Sequence, residues 1–106
     1  MLDENDLIQK ASESIGLQYK GSIGGRHIVY NSINNWQYEW NPLKNKEDAF
    51  DLIVGRNISL ETRVEDDKHV VIAYNKDFSV EEKTTTLARQ DLEESTMIAI
   101  TRLSAK

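Results

Sequence analysis

The stretch Trp36-Gln37-Tyr38-Glu39-Trp40-Asn41-Pro42-Leu43 decides the reading of this chain. Aromatic residues at 36, 38 and 40 alternate with polar ones, the period of a strand that carries all three rings on one face. Pro42 cannot donate to a ladder, so the strand stops there. Asn45 then has the character of a helix cap, with Asp48 three residues on and an apolar face of Ala49, Phe50, Ile53 and Val54. A strand that breaks at a proline turn and gives way to an amphipathic helix makes this an α+β chain.

Working towards the N-terminus, Asn31-Ser32-Ile33-Asn34-Asn35 reads as a turn and His27-Ile28-Val29-Tyr30 as the strand before it. Gly21-Ser22-Ile23-Gly24-Gly25 is a second turn, preceded by the short alternating strand Leu17-Gln18-Tyr19-Lys20. Leu7, Ile8, Ala11 and Ile15 fall at helical spacing, with Asp3 as cap and Gly16 as stop. Towards the C-terminus, Asn57 suits a left-handed helix terminator. Residues 58–64 alternate as a half-buried strand, Glu65-Asp66-Asp67-Lys68 turns, and residues 69–74 return antiparallel inside the sheet. Residues 75–86 fit either an edge strand or a core cover. A last and longest helix is expected from about Leu87 to Ala105. The expected order is α-β-β-β-α-β-β-α in one domain over 1–106. The expected architecture is a single, mostly antiparallel sheet of about four or five strands packed with three helices.

Composition narrows the function classes. The 106 residues are 39% apolar, enough for one modest core. The absence of cysteine excludes a disulfide scaffold and a thiolate zinc site. There is no apolar run of about 18 residues, and the acidic opening Asp3-Glu4-Asn5-Asp6 is unlike a signal peptide. A soluble intracellular protein, off the membrane, is the expectation. The net charge of −5 is uneven: residues 1–16 carry −3, residues 17–45 carry +2 and residues 46–106 carry −4. An acidic domain repels a phosphate backbone, so direct nucleic-acid binding is disfavoured, while a basic protein is a suitable partner.

Four constellations have chemical potential. Exposed, Trp36 and Tyr38 would stack a base or a partner's apolar anchor; buried, they and Trp40 would be the surface on which a helix packs, and burial is the favoured reading. Arg26, with the Gly24-Gly25 amides, could hold an anion, although a phosphate loop leads into a helix and a strand follows here. His27 and His69 lack the spacing of a metal pair and read as two independent surface histidines. Glu65, Asp66 and Asp67 read as a solvated turn, with a second reading as an acidic patch that occupies a partner's basic groove. No nucleophile–base pair and no metal set can be named, so no enzyme, metal or cofactor is expected.

Trp40-Asn41-Pro42-Leu43, followed by Asp48-Ala49 and a helix ending before Ile58, resembles small phage and prophage proteins of the phage ABA-sandwich domain family. Residues 99–105 are similar in flavour to that family's closing helix. The resemblance implies an αβα-type sandwich and an accessory phage protein in the cytoplasm of its bacterial host. With the small size, the acidic charge and the lack of a catalytic constellation, the expectation is a protein that acts by binding, as an inhibitor or modulator of a host bacterial protein, with a defence component among the candidates. Trp40, Asn41, Pro42 and Leu43 have a structural account in any case, as core filler, strand stop and staple. The alternative is a binder that sequesters a nucleotide signal, with Trp36 and Tyr38 stacking the base, Arg26 and His27 alongside, and the site completed in a homo-oligomer.

Overall fold

The computed structural model describes residues 3–66, 68–84 and 89–106. Three helices and six strands follow one another: α1 (Glu4–Ser14), β1 (Gln18–Ile23), β2 (Arg26–Asn31), β3 (Trp36–Glu39), α2 (Lys46–Gly55), β4 (Ser59–Glu65), β5 (Lys68–Tyr74), β6 (Ser79–Thr84) and α3 (Arg89–Ser104). The start of the last helix expected at Leu87 lies outside the described residues.

Local chemistry accounts for the element ends. The Asp3 carboxylate accepts the Asp6 amide at the start of α1, and the Asn45 side chain accepts the amides of Glu47 and Asp48 at the start of α2. Both helices end the same way. Gly16 at φ +86° lets the Leu17 amide reach back to the Ser12 carbonyl, and Asn57 at φ +54° lets Ile58 reach back to Ile53. The β1–β2 link is the two-residue turn Gly24-Gly25, both with positive φ, closed by the pair Ile23–Arg26. That backbone matches the twist of a tight hairpin and is open to glycine with little penalty.

The α+β class agrees with the sequence, but the single sheet does not. The strands form two separate three-stranded antiparallel sheets, β1-β2-β3 and β4-β5-β6. Sequential hairpins satisfy each set internally, and Pro42 with α2 separates the sets along the chain. β3 is only four residues long, and β1 carries a bulge between Tyr19 and Gly21, so neither edge of the first sheet offers a long regular ladder. The 75–86 segment, left open between an edge strand and a core cover, holds the edge strand β6, which the expected element order does not include.

The helices lie between the sheets. α1 covers β1 and β2, α3 covers β5 and β6, and both α1 and α2 pack on α3. The expected order of layers, with helices outside a central sheet, is therefore reversed. The core runs through this helical layer: Ile8 and Ala11 from α1, Val29 and Trp40 from the first sheet, Leu52 from α2, Ala73 and Val80 from the second sheet, and Ala99, Ile100 and Leu103 from α3. Burying each of the valine, leucine and isoleucine side chains among these contributes about 1.5–3 kcal/mol.

Candidate functional site

The aromatic stripe lies on the inner face of the first sheet. Tyr19 and Tyr38 both pair with Val29, Trp36 pairs with Asn31, and the Trp40 amide donates to the His27 carbonyl at 2.9 Å. One face therefore carries Tyr19, His27, Val29, Trp36, Tyr38 and Trp40. The helical layer does not reach the end of that face. Trp40 is 0% exposed, Tyr38 is half-buried, and Trp36 is 63% exposed. Burial, favoured for the whole stripe, holds for Trp40 and fails for Trp36.

Helix α2 brings carboxylates to this stripe. Trp40 Nε1 donates to Asp51 at 3.3 Å, and the Asn41 amide donates to Asp48 at 2.7 Å. Burial pushes the Asp48 carboxyl up. The Asn41 amide holds it down in part, and Asp51, Glu47 and Glu39 add to the rise. Burial also raises the Tyr38 phenol, with Asp51 and Asp48 adding to it and a hydrogen bond from Asn31 opposing it. Tyr38 thus stands near the acidic flank of Asp48 and Asp51, to which Glu47 and Glu39 add charge, while Trp36 lies about 13 Å further along the strand from Trp40. Sequence reasoning placed the acidic surface elsewhere. The available signal was the spacing of Asp48 and Asp51, one helical turn apart directly after the Trp40–Leu43 segment.

Beyond Trp36 the chain forms a projecting turn. The Asn31 side chain accepts the amides of Ile33 at 3.0 Å and Asn34 at 3.4 Å. Tyr30 donates its hydroxyl to the Asn35 side chain, and Asn35 takes φ +52°. These bonds fix a tip on which Ile33, 92% exposed, and Trp36 stand out into solvent.

Arg26 and His27 do not join this site. Arg26 starts β2 and Trp36 pairs with its last residue, Asn31, so the two are separated by about 16 Å of strand. The pleat also sends Arg26 to the opposite face from His27 and Trp36. His27 is not a surface histidine. It is 1% exposed, with Nδ1 2.8 Å from the Tyr19 hydroxyl and Nε2 3.0 Å from Glu4 of α1. Burial, followed by the charges of Asp3, Glu4 and Asp6, raises the Tyr19 phenol. The Glu4–His27–Tyr19 chain ties α1 to the sheet and satisfies a buried ring.

The acidic turn is interleaved with bases. Glu65 pairs with Arg63 at 3.2 Å, Lys68 and Lys83 line the same shallow depression as Glu65 and Asp66, and Asp66 sits in the turn at φ +49°. Asp67 lies outside the described residues. In Trp40–Leu43 each residue has a packing or turn role. Trp40 and Pro42 are buried, the Asn41 side chain accepts the Leu43 amide at 3.0 Å, and Leu43 packs against the core. Among the described residues, no group of three or more His, Asp or Glu side chains is placed to hold a metal ion, and no helix is long and apolar enough to cross a membrane.

An apolar groove of about 280 Å³ between α2 and α3 is lined by Phe50, Ile53, Leu92, Thr96 and Met97. It falls just short of the usual ligand-pocket range of about 300–1,000 Å³. Its Lys46 is engaged with Glu93 at 2.9 Å, so that cation is already paired. Compared with known proteins, the chain matches no family model, no curated protein and no solved structure.

Proposed function

We propose that the protein acts by binding another protein, through the β2–β3 tip and the acidic flank at the other end of β3, and not by catalysis. The observation that carries this reading is the pair Ile33 and Trp36, held in solvent by a hydrogen-bonded turn. Tryptophan is enriched among binding hot spots because it buries a large area with few rotatable bonds. A pre-fixed turn loses little entropy on docking. The partner that fits has an apolar pocket for Trp36 and Ile33 with basic groups at its rim, facing Glu39, Glu47 and Asp51. The resemblance through Trp40–Leu43 and Asp48-Ala49 supports a reading as a phage or prophage accessory factor whose partner is a host bacterial protein, with inhibition or modulation as the outcome.

A nucleotide held by both Trp36 and Arg26 would have to bridge two copies of the chain. The protein-binding reading needs no such arrangement. Its test compares the wild type with Ile33→Ser/Trp36→Ala on a bacterial lysate, in low and moderate salt. A partner retained by the wild type, lost by the variant and weakened by salt supports the reading. A partner retained equally by both removes the tip from the interface.

A further inference from the structure

The two sheets have four edges, and three carry features that discourage pairing. β1 is broken by its bulge at Tyr19–Gly21, and β3 has four residues and leads into Pro42. β6 places Glu81, Glu82 and Lys83 at its centre, with Glu82 paired to Arg102 of α3. β4 also carries charges at its centre, Glu61 and Arg63, but they are of opposite sign and it has no other such feature. It is seven residues long, without proline, glycine, lysine or bulge, and pairs with β5 in unbroken register from Ser59–Tyr74 to Glu65–Lys68. Its residues Ser59 to Val64 are all exposed.

Which backbone groups β4 offers follows from the ladder. The Asn75 amide donates to the Phe78 carbonyl at 3.0 Å, so 75 and 78 form a hydrogen-bonded pair. Pairs alternate along an antiparallel ladder, so Ala73, Val71 and His69 bond towards β6, and the even-numbered residues of β5 bond towards β4. Through the register, the odd-numbered residues of β4 bond to β5. The amides and carbonyls of Leu60, Thr62 and Val64 therefore point outwards from the edge.

The sequence of this edge is self-complementary. If a second β4 runs antiparallel with Thr62 opposite Thr62, Leu60 meets Val64 and Glu61 meets Arg63. Thr62–Thr62 and Leu60–Val64 are then the hydrogen-bonded pairs that the outward groups require. Glu61–Arg63 falls on the other pair type, where side chains approach more closely. The apolar pairs lie on the face turned towards the helices, and the ion pairs lie on the outer face. Glu61 has no ion-pair partner among the described residues, whereas Arg63 already bridges Glu65 and Glu81. Registers centred on Glu61 or Arg63 would set like charges opposite each other.

We propose that β4 is a homodimer edge: two copies join through antiparallel β4 strands centred on Thr62, making one continuous six-stranded sheet. A strand pair alone buries less than a standard interface of about 1,600 Å², so the dimer is a reversible one that forms at micromolar or higher concentration.

Sedimentation equilibrium over a wide concentration range tests this, on the wild type and three variants, with circular dichroism to check folding. The wild type is expected to be a monomer–dimer equilibrium. Thr62→Pro removes an outward amide that β5 does not use, so it should stay folded and be monomeric. Glu61→Arg sets arginine against Arg63 in both symmetric pairs and should weaken dimerisation about 30-fold. Arg63→Glu should do the same from the other side. Mixing Glu61→Arg with Arg63→Glu restores opposite charges at both positions, so the mixture should dimerise where each variant alone does not. A wild type that stays monomeric at all accessible concentrations overturns the proposal, as does a Thr62→Pro dimer or a mixture no tighter than its components. If Thr62→Pro fails to fold, the mixing experiment decides alone.

Discussion

Trp36 and Trp40 occupy the same face of one strand, yet the fold assigns them opposite roles, and replacing each by alanine separates these roles. Trp40 is fully buried, hydrogen-bonded to Asp51 and part of the hydrophobic core. Removing about 200 Å² of apolar contact at about 25 cal/mol per Å² gives about 5 kcal/mol, and measured Trp→Ala losses in cores run about 3–5 kcal/mol. A domain of this size has about 5–15 kcal/mol in total, so Trp40→Ala should lose a third or more of it. At roughly 4–5 °C per kcal/mol, the fall in Tm is about 15–20 °C. Trp36, 63% exposed, should lose about 1 kcal/mol. Urea denaturation followed by far-ultraviolet circular dichroism measures both without relying on the altered fluorophore. With two tryptophans in the chain, Trp36→Phe and Trp40→Phe also give single-tryptophan proteins. Acrylamide should quench Trp36 strongly and Trp40 weakly. Equal destabilisation by the two alanine variants, or equal quenching, would refute the division of the stripe into core and tip.

Other substitutions probe the supports of this arrangement. Gly55→Ala in α2 would normally stabilise a helix by about 1 kcal/mol, but a Cβ there would meet the stiff Ile15 Cγ2 at 2.5 Å, so the variant should be less stable by about 1–2 kcal/mol, and adding Ile15→Ala should recover part of that loss in a double-mutant cycle. Asp48→Asn keeps an acceptor for the Asn41 amide and removes a carboxylate whose folded pKa is raised. Protonation favours the folded state for such a group, so the variant should equal or exceed the wild type in stability at neutral pH, and its advantage should shrink as pH falls through the folded Asp48 value; urea titrations across that window check the sign. Asn45→Ala leaves the Glu47 and Asp48 amides without their cap and should lower stability by about 1 kcal/mol in chemical denaturation.

The parts of the fold legible in the sequence are those set by neighbours along the chain. Asn45, Asn57 and Gly16 each fix a cap or stop through their own backbone preferences where the pattern placed them, whereas the turn expected over 21–25 shrinks to Gly24-Gly25, because Gly21, Ser22 and Ile23 pair with β2 as part of β1. The split into two sheets was not legible, because pairing between distant strands leaves no local mark. β6 was half hidden because only Val80 of the residues 79–83 is buried, so Glu81, Glu82 and Lys83 give it a polar appearance. His27 read as exposed because its partners lie at positions 4 and 19, contributed by other elements. Alternation showed which face Trp36 shares with Trp40, but how far the helices reach over that face depends on tertiary packing. Asp48 and Asp51 carry no local sign of their partners, because their bonds to the Asn41 amide and Trp40 Nε1 form only once α2 folds back on the end of the first sheet.

The most direct measurement is capture from a bacterial lysate by the tagged protein, run in parallel with Ile33→Ser/Trp36→Ala at matched stability, with the retained material identified by mass spectrometry and ultraviolet absorbance. The result predicted is a stoichiometric protein held by the wild type and absent from the variant. A wild-type preparation with no protein partner but a bound compound absorbing near 260 nm, or a protein partner held equally by both, would contradict it.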